Sequence, residues 1–302
     1  HTRFALVSWA RDVYKRQVQD FESEWVKIIR DNFLATDGEM VLFGDASQNI
    51  YERNNERVAV IAQGFGSWKK LNRSYRTSFT SPLNQVFKGY QSKYLIEKYS
   101  DSELLETAPV QQGLSFEVLD YHFISDNWAD QSFELIQKTI RANNFNPNDV
   151  VILSSNIYLV RKLADKYQGV EKFHCMFESY EELHQLLSIY DSITTLDELK
   201  LMSEKELRKI IYGYKELQSE LERARRTKKN HFYANSGLIK LSTVHSFKGL
   251  ESKTVFYLMD DKDTPEIVYT SITRSVENLI VLDVSKDSQF SGFFNHNMNK
   301  SD

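Results

Sequence analysis

The chain has 302 residues, 41% of them apolar, and a formal net charge of −4; it is long enough for two compact domains and apolar enough to fill their cores. The acidic balance excludes binding of nucleic acid by bulk charge, so any such binding must come from a local basic groove. The single cysteine, Cys175, excludes an internal disulfide and reads as a small buried apolar group in a reducing compartment. No apolar run approaches the ~20 residues of a membrane span, and the histidines show no metal-ligand spacing, so a soluble, cytoplasmic protein without a metal centre of its own or a membrane partner is expected.

The chain opens on His1 rather than Met, and Ala10-Arg-Asp-Val-Tyr-Lys-Arg-Gln17 resembles translated sequencing-adapter sequence. It has neither the apolar core nor the cleavage site of a signal peptide. Residues 1–17 are therefore expected to be a non-native segment outside the fold, and the reading begins at Val18.

Phe21, Trp25, Ile28, Ile29 and Phe33 recur at helical spacing and predict an amphipathic helix over 21–34. Asp37-Gly38 predicts a turn, and Glu39–Phe43 a short strand ending at Gly44-Asp45. Val58–Ala62 reads as another strand, and 78–100 as a helix broken early by Pro82, with a polar stretch at 100–113. Phe116–Tyr121 (strand), 127–143 (helix), Asp149–Leu153 (strand) and Tyr158–Tyr167 (helix) then alternate. That rhythm predicts an α/β fold with a parallel sheet flanked by helices. Residues 178–230 are charged, helical in pattern and free of proline, which reads as an inserted helical subdomain. Strand patterns return at Leu238–Ser242, Thr254–Leu258 and Leu279–Val284, and the polar segment after Asp287 is expected to fray.

Four short strings carry the chemistry. Phe43-Gly-Asp-Ala-Ser-Gln-Asn-Ile-Tyr51 follows a predicted strand end, where an open parallel sheet places ligand groups. The Gln48 amide there suits a phosphate oxygen or an attacking water; taken alone it is equally a helix cap. Leu71-Asn-Arg-Ser-Tyr-Arg-Thr-Ser78 sets Tyr75 beside Arg76, an aromatic to stack on a base and a guanidinium to reach a phosphate, or a packed tyrosine beside a surface ion pair. Ile239-Lys-Leu-Ser-Thr-Val-His-Ser-Phe-Lys-Gly-Leu-Glu251 runs from a strand into a loop dense in hydroxyl, imidazole and backbone N–H groups, which suits phosphate contacts. A lone His245 is otherwise a structural residue. In Val268-Tyr-Thr-Ser-Ile-Thr-Arg-Ser275, Arg274 stands in a short helical turn as an arginine finger or a helix-surface ion pair.

In this order, GDxxQxIY, YR, TxHxxKGLE and YxxxTR resemble helicase motifs III to VI of the UvrD-like superfamily 1 DNA helicases, over about residues 18–284. Val18-Gln19-Asp20-Phe21 resembles the tail of that family's motif II. The resemblance implies a RecA-like P-loop NTPase fold. Residues 18–70 would be the remnant of a first RecA-like domain, and 71–302 a second one carrying the 178–230 insert.

It further implies a motor that closes on ATP and Mg2+ between two such domains and steps along single-stranded DNA, 3′ to 5′, with RNA an open alternative. By the same resemblance Gln48, Arg76 and Arg274 would act at the γ-phosphate and Tyr75 would stack on adenine. Gly249 and Glu251 would hold the nucleotide, Glu251 at the ribose, and Thr243, His245 and Arg53 would face the nucleic acid.

There are departures. The chain contains no GxxxxGK[ST] and no Asp-Glu before Val18, so the P-loop lysine, the metal carboxylate and the general base are missing. Negligible ATPase activity is therefore expected of this polypeptide. Arg53 stands where a base-stacking aromatic is common, and Ser252 follows Glu251 in place of another. The run Arg223-Ala-Arg-Arg-Thr-Lys-Lys229 reads either as cations compensating a helix C-terminus or as a phosphate-backbone contact. The alternatives to a truncated motor are a non-catalytic nucleic-acid-binding module and the motor half of a nuclease–helicase fusion.

Overall fold

The computed structural model describes residues 10–15, 21, 23–44, 65, 69, 73–74, 81–99, 106–107, 117–191, 194–232 and 235–298. Six strands form one wholly parallel sheet: β5 (Leu119–Phe123), β6 (Val150–Ser154), β7 (Phe173–Cys175), β8 (Ile239–Thr243), β9 (Ser252–Met259) and β10 (Ser275–Asp283). Their spatial order is β5-β10-β9-β6-β8-β7. Parallel neighbours need crossovers, and helices supply them on both faces. This is the α/β architecture expected from the alternating rhythm and is consistent with a RecA-like fold.

Alternation along the strands sorts side chains to the two faces. Val151, Leu153, Val255, Tyr257, Leu279 and Val281 point to one face. There they meet α2 (Pro82–Tyr94), α9 (Val244–Phe247), α10 (Pro265–Ile272) and α11 (Ser291–Met298). Val150, Ile152, Phe256, Leu258, Ile280 and Leu282 point to the other, against α3 (Trp128–Ala142) and α4 (Ile157–Tyr167). Burial of both faces explains why these strands read as continuous apolar runs.

The insert is four helices, α5 (Tyr180–Leu187), α6 (Leu196–Leu201), α7 (Glu204–Gly213) and α8 (Lys215–Asn230), around a core of their own. Ser179, Thr195 and Ser203 start the first three with reciprocal capping boxes. The insert is joined to the sheet body by a buried ionic triad. Arg161 of α4 and Arg225 of α8 both bond the Glu178 carboxylate, and neither Arg161 nor Glu178 is more than 1% exposed. Burial works to raise the Glu178 pKa, but the Arg225 hydrogen bonds and the two cations outweigh it and hold the carboxyl below its usual range.

Several expectations need correction. Ala10–Lys15, set outside the fold from sequence, forms strand β1 and pairs in parallel with β2 (Leu34–Leu42) across α1 (Ser23–Phe33). The turn expected at Asp37-Gly38 falls inside β2. Its turn propensity appears instead as a register irregularity, Ala10 facing Leu34 while Asp12 already faces Glu39. Pro82 opens α2 rather than breaking it, because the first turn needs no N–H there and Ser81 caps the helix.

The short β7 went unread in the sequence. Its Cys175 is half-buried at the sheet edge, its thiol donating to Phe177 O at 3.2 Å. The segment after Asp287 is not frayed. Phe290, Phe293, Phe294 and Met298 lie on one face of the terminal region and are buried, Phe294 stacking on Tyr90 and Tyr121. The polar residues between them masked that stripe. The expected strand 58–62 and most of the 100–113 stretch lie outside the described residues. Two further pairs of residues, β3 (Arg73–Ser74) and β4 (Glu106–Thr107), form a minimal parallel ladder.

Candidate functional site

The third string runs up β8 to the carboxyl end of the sheet and returns to the amino end at Glu251. Thr243 closes β8 at its carboxyl end and caps α9, accepting from Ser246 N–H at 3.3 Å. His245 follows within that single turn, half-buried. Val244 and Phe247 anchor the turn in the core, and the chain then reverses at Gly249, whose φ of +86° is the left-handed conformation glycine adopts without strain. Glu251 emerges exposed at the amino end of β9. Ser242, Leu153 and Tyr257 share one level of the sheet. Thr243 and Ser252 are thus six residue steps apart, about 20 Å at ~3.3 Å per residue.

At the amino end, Arg274 meets the Gly249–Glu251 loop although 22 residues of chain separate Glu251 from it. The Ser252 N–H donates to Arg274 O at 2.9 Å. The guanidinium, 3% exposed, donates through Nε to Thr270 O at 3.0 Å and through Nη1 to Leu250 O at 3.3 Å. Arg274 therefore lies buried behind the loop and holds it, rather than projecting from a helix surface. Beside the loop is a cleft of about 240 Å³ whose walls include Glu251, Phe232, Lys253, Asn148 and Lys240.

Of these walls only Glu251 was singled out from sequence. Lys240 had a readable signal, since it is a lysine at an otherwise apolar strand position and is only 4% exposed. Its ammonium bonds the Asn148 carbonyl, and burial pushes its pKa down, with Asp149 opposing.

At the carboxyl end a polar cluster follows β6 that the four strings do not contain. Asn156 donates to Glu204 at 3.0 Å and to Asp260 at 3.1 Å. Asp263 accepts from the hydroxyls of Ser155 and Tyr257 and from Asp260 N–H. Burial pushes the Asp263 carboxyl up to about 6, against the lowering effect of those three donors. Its signal was Ser154-Ser-Asn156, where the apolar run Val150–Leu153 of β6 gives way to the polar loop that tops a parallel sheet.

The structure thus brings Gly249, Glu251 and Arg274 together and sets Thr243 and His245 apart from Glu251 along the sheet. Gln48, Arg53, Tyr75 and Arg76 lie outside the described residues. Among the described residues no three His, Cys, Asp or Glu side chains are placed to hold a metal ion, and no helix is long and apolar enough to cross a membrane.

No family model matches the chain, and no curated protein matches it. Among solved structures it is similar to the C-terminal domain of a possible DNA helicase from Lactobacillus plantarum WCFS1. That similarity has 13% identity and a TM-score of 0.40, covering 74% of this chain and 96% of that one.

Proposed function

We propose that the chain is the carboxyl-terminal motor portion of an ATP-dependent helicase of the UvrD-like superfamily 1 type, moving 3′ to 5′ on single-stranded DNA. One observation carries the reading. Two of the strings that resemble helicase motifs, separate in sequence, converge on the Glu251 loop at the amino end of the sheet, while the Thr243–His245 part of the third ends at the carboxyl end.

A motor needs its nucleotide and its track on separate faces of one rigid element, so that a change at one is transmitted to the other through the sheet. Glu251 at the rim of the cleft suits a ribose hydroxyl. Arg274 places a permanent positive charge behind the loop, favouring a phosphate drawn against it. ATP and Mg2+ would be held jointly with a P-loop and an Asp-Glu pair that this chain lacks, so magnesium-dependent ATP turnover by this polypeptide is expected to be negligible in a coupled phosphate-release assay. Robust turnover would require a different catalytic centre and overturn the assignment.

The burial of Arg274 favours a second reading, a nucleic-acid-binding module that does no hydrolysis. Sequencing the source gene upstream of the Val18 codon separates the two. An Asp-Glu pair directly ahead of Val18, with GxxxxGK[ST] farther back, supports the motor; His1–Gln17 in frame with no P-loop upstream leaves the binding module.

A further inference from the structure

The basic run at the end of α8 is not used by either face described above, and the structure divides its cations into two groups. Arg225 turns inward and bonds both oxygens of Glu178, at 2.7 and 2.6 Å. Lys228 also turns inward, 2.7 Å from Glu182 and 3.5 Å from the Cys175 sulfur. Arg223, Arg226 and Lys229 are exposed. At i, i+3 and i+6 they climb one side of the helix in steps of ~4.5 Å.

Compensation of the helix dipole reaches only the last turn, so it accounts for Lys229 but not for Arg223 or Arg226. Arg226 has only a surface contact with Glu222 at 3.2 Å, both side chains more than 60% exposed, a type of pair worth little. Arg223 and Lys229 have no acidic partner among the described residues.

The cations also crowd one another. Although Lys229 keeps an exposed side, partial desolvation lowers its pKa, and Arg225 and Arg226 lower it further. On the adjoining edge strand β7, burial, Lys228 and Lys240 lower that of His174. In a chain of net charge −4 this is a local excess of positive charge that an anion would relieve.

We propose that the Arg223–Arg226–Lys229 face of α8, beside β7, docks the phosphate backbone of a nucleic-acid strand. The face carries charge without an apolar anchor: apart from the inward-turned Arg225 and Lys228, only Ala224 and Thr227 lie between its ends. A membrane-lying helix needs bulky apolar groups beside its cations, and a protein interface needs a buried aromatic or aliphatic anchor. A phosphate backbone needs neither, and its repeating charge matches cations spaced along a helix. The face lies along the β7 edge of the sheet, where Lys228 approaches Cys175. The proposal rests on the nucleic-acid part of the preceding reading and adds a second contact surface to it.

The test is fluorescence anisotropy of a labelled oligothymidylate against the full chain, titrated over a salt series, with the triple variant Arg223→Glu, Arg226→Glu, Lys229→Glu. Lys205→Glu, Lys209→Glu, Lys215→Glu on exposed positions of the same insert is the charge-matched control. The face predicts a Kd at least ~10-fold weaker for the first triple and a log–log salt slope shallower by about 2, from ~0.7 per phosphate contact on a single strand. The control should keep the wild-type slope.

An unchanged slope in the first triple, or an equal loss in both, overturns the docking face. Loss of binding to anionic phospholipid vesicles without loss of oligonucleotide binding overturns it in favour of a membrane surface. If the wild-type chain binds no oligonucleotide at all, the nucleic-acid reading itself fails. Circular dichroism verifies folding, and should the glutamates disturb it, the glutamine triple at the same positions carries the same test.

Discussion

Every residue of β6 is buried, whereas the ten-residue α7 of the insert buries Leu207 alone. The sheet body is held by apolar layers on both faces, each fully buried aliphatic side chain contributing about 1.5–3 kcal/mol before entropy is counted. The insert has one small core of leucines and Tyr180 and meets the body largely through polar contacts. These are the Arg161–Glu178–Arg225 triad, Lys200 with Asp165 at 2.7 Å, and Asn156 with Glu204 at 3.0 Å. Apolar layers fix position by shape and volume. Ion pairs fix it by direction and are lost abruptly when one partner goes. The insert should therefore respond to single charge changes that the sheet body ignores.

The largest effect is expected where the sheet's packing is cut. Phe294→Ala removes a fully buried ring between Tyr90 and Tyr121 and should cost about 3–5 kcal/mol, read from urea unfolding of the whole chain. A loss below ~1 kcal/mol would mean that α11 is peripheral to the body. Next is Glu178→Gln, which leaves Arg161 buried without its counter-charge and should cost about 3 kcal/mol. Hydrogen exchange should speed up in α5–α8 more than in β6 and β9. A uniform rise would show that insert and body open as one unit, and the contrast between them would collapse.

The smallest effect is a pH slope at the boundary between the two regions. Asp263 is raised from 3.8 to about 6 in the fold, so the native state takes up its proton first. Its contribution to stability is complete below 3.8 and is lost as pH rises through about 6. Asp263→Asn should remove that part of the slope, and urea midpoints at several pH values across this window measure it. A variant that keeps the wild-type slope would show that the titrating group lies elsewhere.

The elements that declared themselves in sequence are those whose signal is local. The run Val150–Leu153 is apolar because it is covered on both faces of the sheet. The helical character of 178–230, the strand patterns at 238–242, 254–258 and 279–284, and the order of the four strings could be read without coordinates. The terminal helix was lost because its burial depends on Tyr90 and Tyr121, which are distant in sequence. Strand β7 was lost because three residues with ordinary composition become a strand only when β8 offers its edge.

The site divides in the same way. Thr243, His245, Gly249, Glu251 and Arg274 were legible as residue types in a characteristic order, because motif spacing is a property of the chain. That Arg274 turns back beneath Leu250, that Lys240 and Asn148 join Glu251 at one cleft, and that Thr243 stands about 20 Å from Ser252 are consequences of strand register and crossover. Likewise, seven residues from Arg223 to Lys229 gave a basic run and nothing more. Glu178 and Glu182, brought in from other elements, decided which cations face inward and which remain for a partner. Sequence sets the periodicity and the chemistry of each segment, and long-range register, which pairs residues far apart in the chain, decides what each of them faces.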